Sequence, residues 1–263
     1  AMGLINFAQG EFAMFTTFIC WGLLTGLNLP FGLAVIVTVA VAFGGGFALE
    51  RVVVRPFEHS SPLIVVIVTL ALFEILNSLA GFIWGYVPQS FPSPLPAAPV
   101  SIGGILISLQ DAGILGVSLI LLGLLYVLFN HTKLGLALRA AALYPDVAEL
   151  LGVRTGLMLA VGWGLASAVG AVSGILVAPV VFLEPNMMQS VIIYAFAAAV
   201  LGGIDSPLGA VVGGLLLGVL LALIGAYIPA LADLRLALSL LLIVLLLLVR
   251  PSGIFGRRHV VRV

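Results

Sequence analysis

Apolar runs about as long as a bilayer's hydrocarbon core is thick recur from end to end of this chain, at residues 12–27, 31–49, 63–84, 113–129, 157–183 and 236–249. A helix needs about 20 such residues to cross, and within lipid only helices and closed barrels satisfy every backbone N–H and C=O group. The pattern predicts an all-α fold, a polytopic transmembrane helix bundle forming a single domain over residues 1–263. Composition points the same way: 63% of residues are hydrophobic and 8% charged, where an ordinary soluble domain carries about 25% charge. Two shorter apolar runs, 191–201 and 209–226, flank Gly202-Gly203-Ile204-Asp205-Ser206-Pro207. That interruption reads as a broken or re-entrant element rather than a simple loop.

The few charges are grouped. Arg51 and Arg55 lie in one inter-helix segment, Lys133, Arg139 and Arg154 in another, and Arg250, Arg257, Arg258 and Arg262 follow the last run, while Arg235 beside Asp233 stands apart. An even number of crossings separates these three segments from one another, so they share a face, and the positive-inside rule makes that face cytoplasmic. At the start, Ala1-Met2-Gly3 leads directly into Leu4-Ile5-Asn6, without the basic stretch and cleavage site of a signal peptide. The chain reads as beginning in mid-element, with a first membrane helix expected ahead of it.

Residues 133–154 (KLGLALRAAALYPDVAELLGVR) concentrate polar groups between two membrane-length runs. Residues 134–143 read as one short helix and 145–151 as a second. Pro145 suits a first helical position, Asp146 and Glu149 complement the positive helix start, and Gly152 is a natural stop. Val147, Leu150 and Leu151 share a face, leaving Asp146 and Glu149 on others. Two readings fit this short amphipathic element: a loop resting on lipid headgroups, or a docking helix for a soluble partner. Its mixed charge favours the second, because helices that lie on membranes are usually more basic.

The segment 87–112 is expected on the external side. It carries Pro88, Pro92, Pro94, Pro96 and Pro99, a density that forbids helix and favours stiff, extended chain. Val100-Ser101-Ile102-Gly103-Gly104-Ile105-Leu106-Ile107 then reads as a hairpin turning at the glycine pair. The loop is either a lid over helix ends or a surface for an external partner.

Several polar residues sit where lipid-facing helices would not keep them: Asn6, Gln9 and Glu11 at the start of the first run, Glu74 and Asn77 within the third, and Asp205 at the interruption. A carboxylate at mid-membrane costs roughly 2.5–3.5 kcal/mol on insertion scales, so these groups are expected to face a bundle interior or a wet path. Hydrogen bonding between helices would also account for them. Glu74 and Asn77, three apart, are expected on one helix face. A weak repeat relates Ile5-Asn6-Phe7-Ala8-Gln9-Gly10 to Ile204-Asp205-Ser206-Pro207-Leu208-Gly209. In each, an N-capping Asn or Asp precedes a Gly-containing apolar run, as expected for half-helices pointing their positive ends inward. Small residues are dense in 162–174 and 202–218, with Gly170-x-x-x-Gly174 and Gly209-x-x-x-Gly213 spacings that permit close helix packing.

Several chemistries are excluded. With Cys20 as the one cysteine, neither a disulfide framework nor a cysteine metal site can form. His59, His131 and His259 lie far apart with no partner at metal-ligand spacing, so no metal and no catalytic residue is expected. No Gly-x-x-x-x-Gly-Lys-Ser/Thr phosphate loop is present. Nothing points to nucleic acid.

Five blocks carry a family resemblance. They are Gly3-Leu4-Ile5-Asn6-Phe7-Ala8-Gln9-Gly10-Glu11-Phe12; Glu50-Arg51 with Arg55-Pro56; Leu134-Gly135-Leu136-Ala137-Leu138-Arg139-Ala140 with Ala148-Glu149-Leu150-Leu151-Gly152-Val153; Ala198-Ala199-Val200-Leu201-Gly202-Gly203-Ile204; and Arg250-Pro251-Ser252-Gly253-Ile254-Phe255-Gly256. Together, in this order and nearly end to end, they resemble the membrane permease of high-affinity branched-chain amino acid ABC importers. The resemblance implies a second, paralogous permease subunit, two cytoplasmic ABC ATPases that hold the ATP and Mg, and a periplasmic or lipid-tethered binding protein. It also implies an inner-membrane location. Residues 146–152 would be the helix seated in an ATPase groove, so Asp146, Ala148, Glu149, Leu150, Leu151 and Gly152, with Arg139 on the helix before, are the expected coupling residues. Asn6, Gln9, Glu11, Glu74, Asn77 and Asp205 are the expected substrate-pathway residues. At Glu74 the family more typically has an apolar residue. Related permeases carry urea or short amides, and a self-sufficient channel or secondary carrier using Glu74 and Asp205 is the reading from a different class.

Overall fold

The computed structural model describes residues 6–57, 60–94, 100–102, 105–203, 206–250 and 253–255. The fold is an all-α polytopic membrane bundle. The helices are α1 (Ala8–Thr25), α2 (Phe31–Leu49), α3 (Pro62–Trp84), α4 (Leu109–His131), α5 (Lys133–Leu143), α6 (Pro145–Leu150), α7 (Thr155–Val181), α8 (Met187–Gly202), α9 (Pro207–Tyr227) and α10 (Arg235–Val249). Among the described residues, five stretches are long and apolar enough to cross a membrane: Phe31–Phe57, Leu63–Trp84, Leu109–His131, Thr155–Val181 and Leu208–Tyr227. Helices α8 and α10 are apolar but shorter. Most spans lie where the apolar runs predict them. Helix α1 starts earlier, at Ala8, which draws Gln9 and Glu11 into its first turn, and α4 starts at Leu109 because the Ser108 hydroxyl accepts from the Asp111 amide.

The chain forms two compact units, Ala1–Met188 and Gln189–Val263. In the first, α7 packs along α2 and α1, and α1 packs against α3. Helices in lipid gain little from burying apolar surface against one another, so their contact depends on close approach. Small residues provide it here. A Cβ at Gly46 would lie 2.2 Å from Ser167 Oγ and 2.8 Å from the Trp163 carbonyl oxygen, and one at Gly174 would lie 2.2 Å from Thr17 Oγ1 and 2.9 Å from the Ala13 carbonyl oxygen. At one end of the α1–α3 seam the Trp84 ring stacks on Phe18, centroids 4.9 Å apart, and meets Phe15 edge-on.

After Leu49, α2 continues as one turn of π-helix, Glu50–Val54, and then a 3-10 turn, Arg55–Phe57. This widened turn buries Glu50 and Val54 and leaves Arg51 and Arg55 exposed. Val54 joins Ala8, Val65 and Leu72 in an apolar cluster with Trp163 at its edge. The segment after α3 is non-helical through residue 94; Pro96 and Pro99 lie outside the described residues. Gln89 pairs through two 2.9 Å backbone hydrogen bonds with Leu183, just beyond α7. The expected hairpin is present as antiparallel strands β1 (Val100–Ile102) and β2 (Ile105–Ile107), with Val100 opposite Ile107.

In the second unit α8, α9 and α10 enclose Ala197, Val200, Leu217 and Ile243. Helices α8 and α9 approach at Gly202 and Gly213, where a Cβ would lie 1.9 Å from the Gly209 carbonyl oxygen and 2.2 Å from that of Ala198. Ile254 and Phe255 donate their amides to the carbonyls of Leu201 and Gly202 at 2.9 Å, satisfying two acceptors that the end of α8 leaves open.

Because the atoms facing Gly46 and Gly174 include backbone carbonyls, a larger side chain has no room to turn aside. Gly46→Val and Gly174→Val are expected to destabilise by about 1–3 kcal/mol, the scale of overpacked cores. Gly44→Ala, with nothing within 4 Å of its Cβ position, should be neutral. Thermal midpoints of the three variants in detergent test this, and equal midpoints would refute it.

Candidate functional site

The start of α1 is set by Asn6, whose side-chain oxygen accepts from the Ala8 amide at 3.0 Å and so satisfies an N–H that the first turn leaves open. Asn6 and Gln9 line a cavity of about 670 Å³ whose walls come from α1, α3, α4, α5 and α7, within the range of small-molecule pockets. Val65, Leu125, Phe129 and Leu159 make much of it apolar, while Asn6, Gln9, Thr69 and Arg139 supply polar groups. Gln9 donates its amide to the Ala166 carbonyl at 2.7 Å. Its carboxamide oxygen keeps its acceptor capacity. Among the described lining residues Arg139 alone is charged. An apolar wall with one cation and two carboxamides suits a small guest with an apolar body and a carboxylate.

Glu11 and Asn77 meet elsewhere in the same unit. Both are buried, and Asn77 Nδ2 lies 3.1 Å from Glu11 Oε2, 3.0 Å from the Pro185 carbonyl oxygen and 3.3 Å from Asn186 Oδ1. One amide therefore bridges α1, α3 and the chain beyond α7. Glu11 Oε1 has no hydrogen-bond partner among the described residues.

Glu74 is exposed although Asn77 is buried. Three residues of helix separate them by about 60° around the axis, enough to put one side chain inside the bundle and the other outside. Asp205 lies outside the described residues. The cap on α9 is Ser206, whose hydroxyl accepts from the Gly209 amide at 3.0 Å.

The segment 133–154 folds as two short helices, each with a defined end. Thr132 caps α5 by accepting from the Gly135 amide at 3.0 Å. Helix α6 stops in a Schellman motif: Val153 N–H bonds to the Ala148 carbonyl and Gly152 N–H to that of Glu149, both at 2.9 Å, with Gly152 at φ +82°. That left-handed conformation suits glycine. The Thr155 hydroxyl donates to the Glu149 carboxylate, tying α6 to the first residue of α7. Ala148, 2% exposed, seats the helix on the body, whereas Val147, Leu150 and Leu151 point outward at 53%, 87% and 78% exposure. Asp146 is also exposed. Arg139, grouped with this segment in the sequence, stands in the cavity wall.

Pro185, Asn186, Thr69 and Trp163 belong to these sites and carry no mark in the sequence reading. For Pro185 and Asn186 the signal existed: Glu184-Pro185-Asn186 interrupts two apolar runs just as Asn6 and Gln9 precede one. Thr69 and Trp163 are ordinary residues of apolar helices, and only their place on a cavity wall distinguishes them.

The sequence model of the family described as the permease component of branched-chain amino acid transport systems matches residues 1–248. The high-affinity branched-chain amino acid transport system permease protein LivH of Escherichia coli (strain K12) is 30% identical over 276 residues, which cover 100% of this chain and 89% of that protein. Permease protein BraD of Pseudomonas aeruginosa is 31% identical over 279 residues, 100% and 89% of the two chains. The probable branched-chain amino acid transport permease protein LivH of Methanocaldococcus jannaschii is 31% identical over 270 residues, covering 95% and 82%. No solved structure matches the chain significantly. With a match of this extent over a bundle of membrane-length helices, the chain belongs to the family of permease components of branched-chain amino acid transport systems.

Proposed function

We propose that this chain is the permease subunit of an ATP-driven ABC importer for leucine, isoleucine and valine, building the translocation path with a second permease. The observation that carries the coupling is the outward face of α6. Leu150, at 87% exposure, and Leu151, at 78%, stand on a helix closed by a Schellman motif and tied to α7 through Glu149 and Thr155. A fixed apolar tip at the head of a membrane-length helix suits a groove in an ATPase and transmits a push along α7. Glu149 and Gly152 hold the lever in shape, Ala148 seats it, and Leu150, Leu151 and Asp146 meet the partner.

The 670 Å³ cavity supports the substrate class. In this reading its apolar wall takes the branched side chain, Arg139 pairs the carboxylate, and the carboxamides of Asn6 and Gln9 serve the ammonium group. Asn77 and Glu11 hold α1, α3 and residues 184–188 together beside this path. Exposed Glu74, in the middle of α3, is costly against lipid and supports a protein neighbour there, the second permease. An external binding protein would deliver the substrate near the loop of residues 87–112.

Leu150→Asp changes an exposed side chain, so stability should move by no more than about 0.5 kcal/mol. Co-purification of the ATPases and ATP-driven leucine uptake should fall about tenfold or more, the scale of a lost central interface residue. Undiminished assembly and uptake would rule out α6 as the coupling element. For the path, Arg139→Gln and Gln9→Leu are expected to weaken leucine uptake about tenfold in vesicles containing the partners, the scale of one lost charge-assisted hydrogen bond, while ATPase assembly stays intact. The same vesicles compare leucine with urea: accumulation of urea alone would move the substrate to short amides. Uptake driven by an ion gradient without ATPases would replace this reading with a secondary carrier.

A further inference from the structure

A second cleft, of about 480 Å³, opens where the chain leaves α2 and enters α7, and it is lined by Arg51, Arg55, Arg154, Glu149, Thr155 and Gly156 among others. Three arginines and one glutamate share this lining, and the Glu149 carboxylate already accepts the Thr155 hydroxyl. The three arginines are exposed and make no ion pair among the described residues. They come from separate places: Arg51 from the π-helical turn, Arg55 from the 3-10 turn and Arg154 from the residue before α7. The absence of a side chain at Gly156 makes room for one of them, since a Cβ there would lie 2.6 Å from Arg55 Nη2.

We propose that this cleft binds the phosphate group of an anionic phospholipid. Guanidinium groups match phosphate oxygens with paired, charge-assisted hydrogen bonds, and three arginines in the lining of one cleft exceed what a solvated rim requires. Position selects the source of the phosphate. Arg51 and Arg55 close the span Phe31–Phe57, and Arg154 precedes the span Thr155–Val181, so the cleft lies at the end of two hydrocarbon-length helices, at the depth of lipid headgroups. Basic pockets between membrane helices are a recognised form of headgroup site. The occupant would touch Arg154 and Gly156 beside the Glu149–Thr155 contact, placing a lipid against the base of α6. The site does not depend on which solute is carried.

The test uses the transporter purified with its partners and equilibrated with equal parts phosphatidylglycerol and phosphatidylcholine, with retained lipids counted by native mass spectrometry. Wild type is expected to retain phosphatidylglycerol over phosphatidylcholine about tenfold, equivalent to about 1.4 kcal/mol, and inorganic phosphate should not displace it. Arg51→Gln/Arg55→Gln/Arg154→Gln should abolish the preference, and the corresponding triple Lys variant should keep part of it. Gly156→Ala, which favours helix and pushes on Arg55, should reduce it about threefold and carries the test if the triple variant fails to fold. Equal retention of the two lipids by wild type, or unchanged preference in the variants, overturns the proposal. Displacement of phosphatidylglycerol by inorganic phosphate assigns the cleft to a free anion, and loss of the ATPases with no change in lipid assigns it to a protein partner; either overturns the lipid assignment.

Discussion

The close approach of α7 to α1 and α2 is the constraint on which the first unit depends. In lipid an apolar side chain gains little by leaving hydrocarbon for another helix, so association rests on van der Waals contact and interhelical hydrogen bonds. Gly46 and Gly174 bring backbones near enough for carbonyl oxygens to come within 3 Å of where a Cβ would be. Once α7 is fixed against its neighbours, its first residues are fixed too. The Glu149–Thr155 contact, the Arg51–Arg55–Arg154 cleft and the far wall of the cavity all inherit that placement.

Polar groups are distributed among separate tasks. Asn6 and Gln9 open into a cavity, Glu11 and Asn77 close onto Pro185 and Asn186 inside the bundle, and Glu74 faces outward. Adjacent residues of the same helix turn thus serve different surroundings, because each step along a helix turns the side chain by about 100°. A buried amide that reaches three acceptors also ties distant segments together, at a point where an unpaired group would cost about 1–3 kcal/mol.

The spans, the short helices of residues 133–154 and the hairpin of residues 100–107 were legible from sequence, because each depends on local signals: apolar length, Pro at a helix start, Gly at its end, and β-prone residues around a glycine pair. The site was legible only in part. Asn6, Gln9, Glu11 and Asn77 stand out as polar residues in apolar surroundings, yet nothing local says that Asn6 and Gln9 share a cavity with Arg139 while Glu11 and Asn77 do not. Ala148 belongs to the right helix, but its burial comes from the body beneath it.

What the sequence determined by itself is the class of the molecule: a chain with this much uninterrupted apolar length has no low-energy arrangement in water or lipid except a bundle of membrane helices with most of its ionisable residues gathered at the helix ends. It also determined the ends of α6, because Pro145 and Gly152 act on their own backbone. The tertiary structure decided which side chains meet. Asn77 and Pro185 are 108 residues apart, and Arg55 and Gly156 about as far. Their contact depends on the rotation of whole helices about their axes, a quantity set by packing and not by any local run of residues.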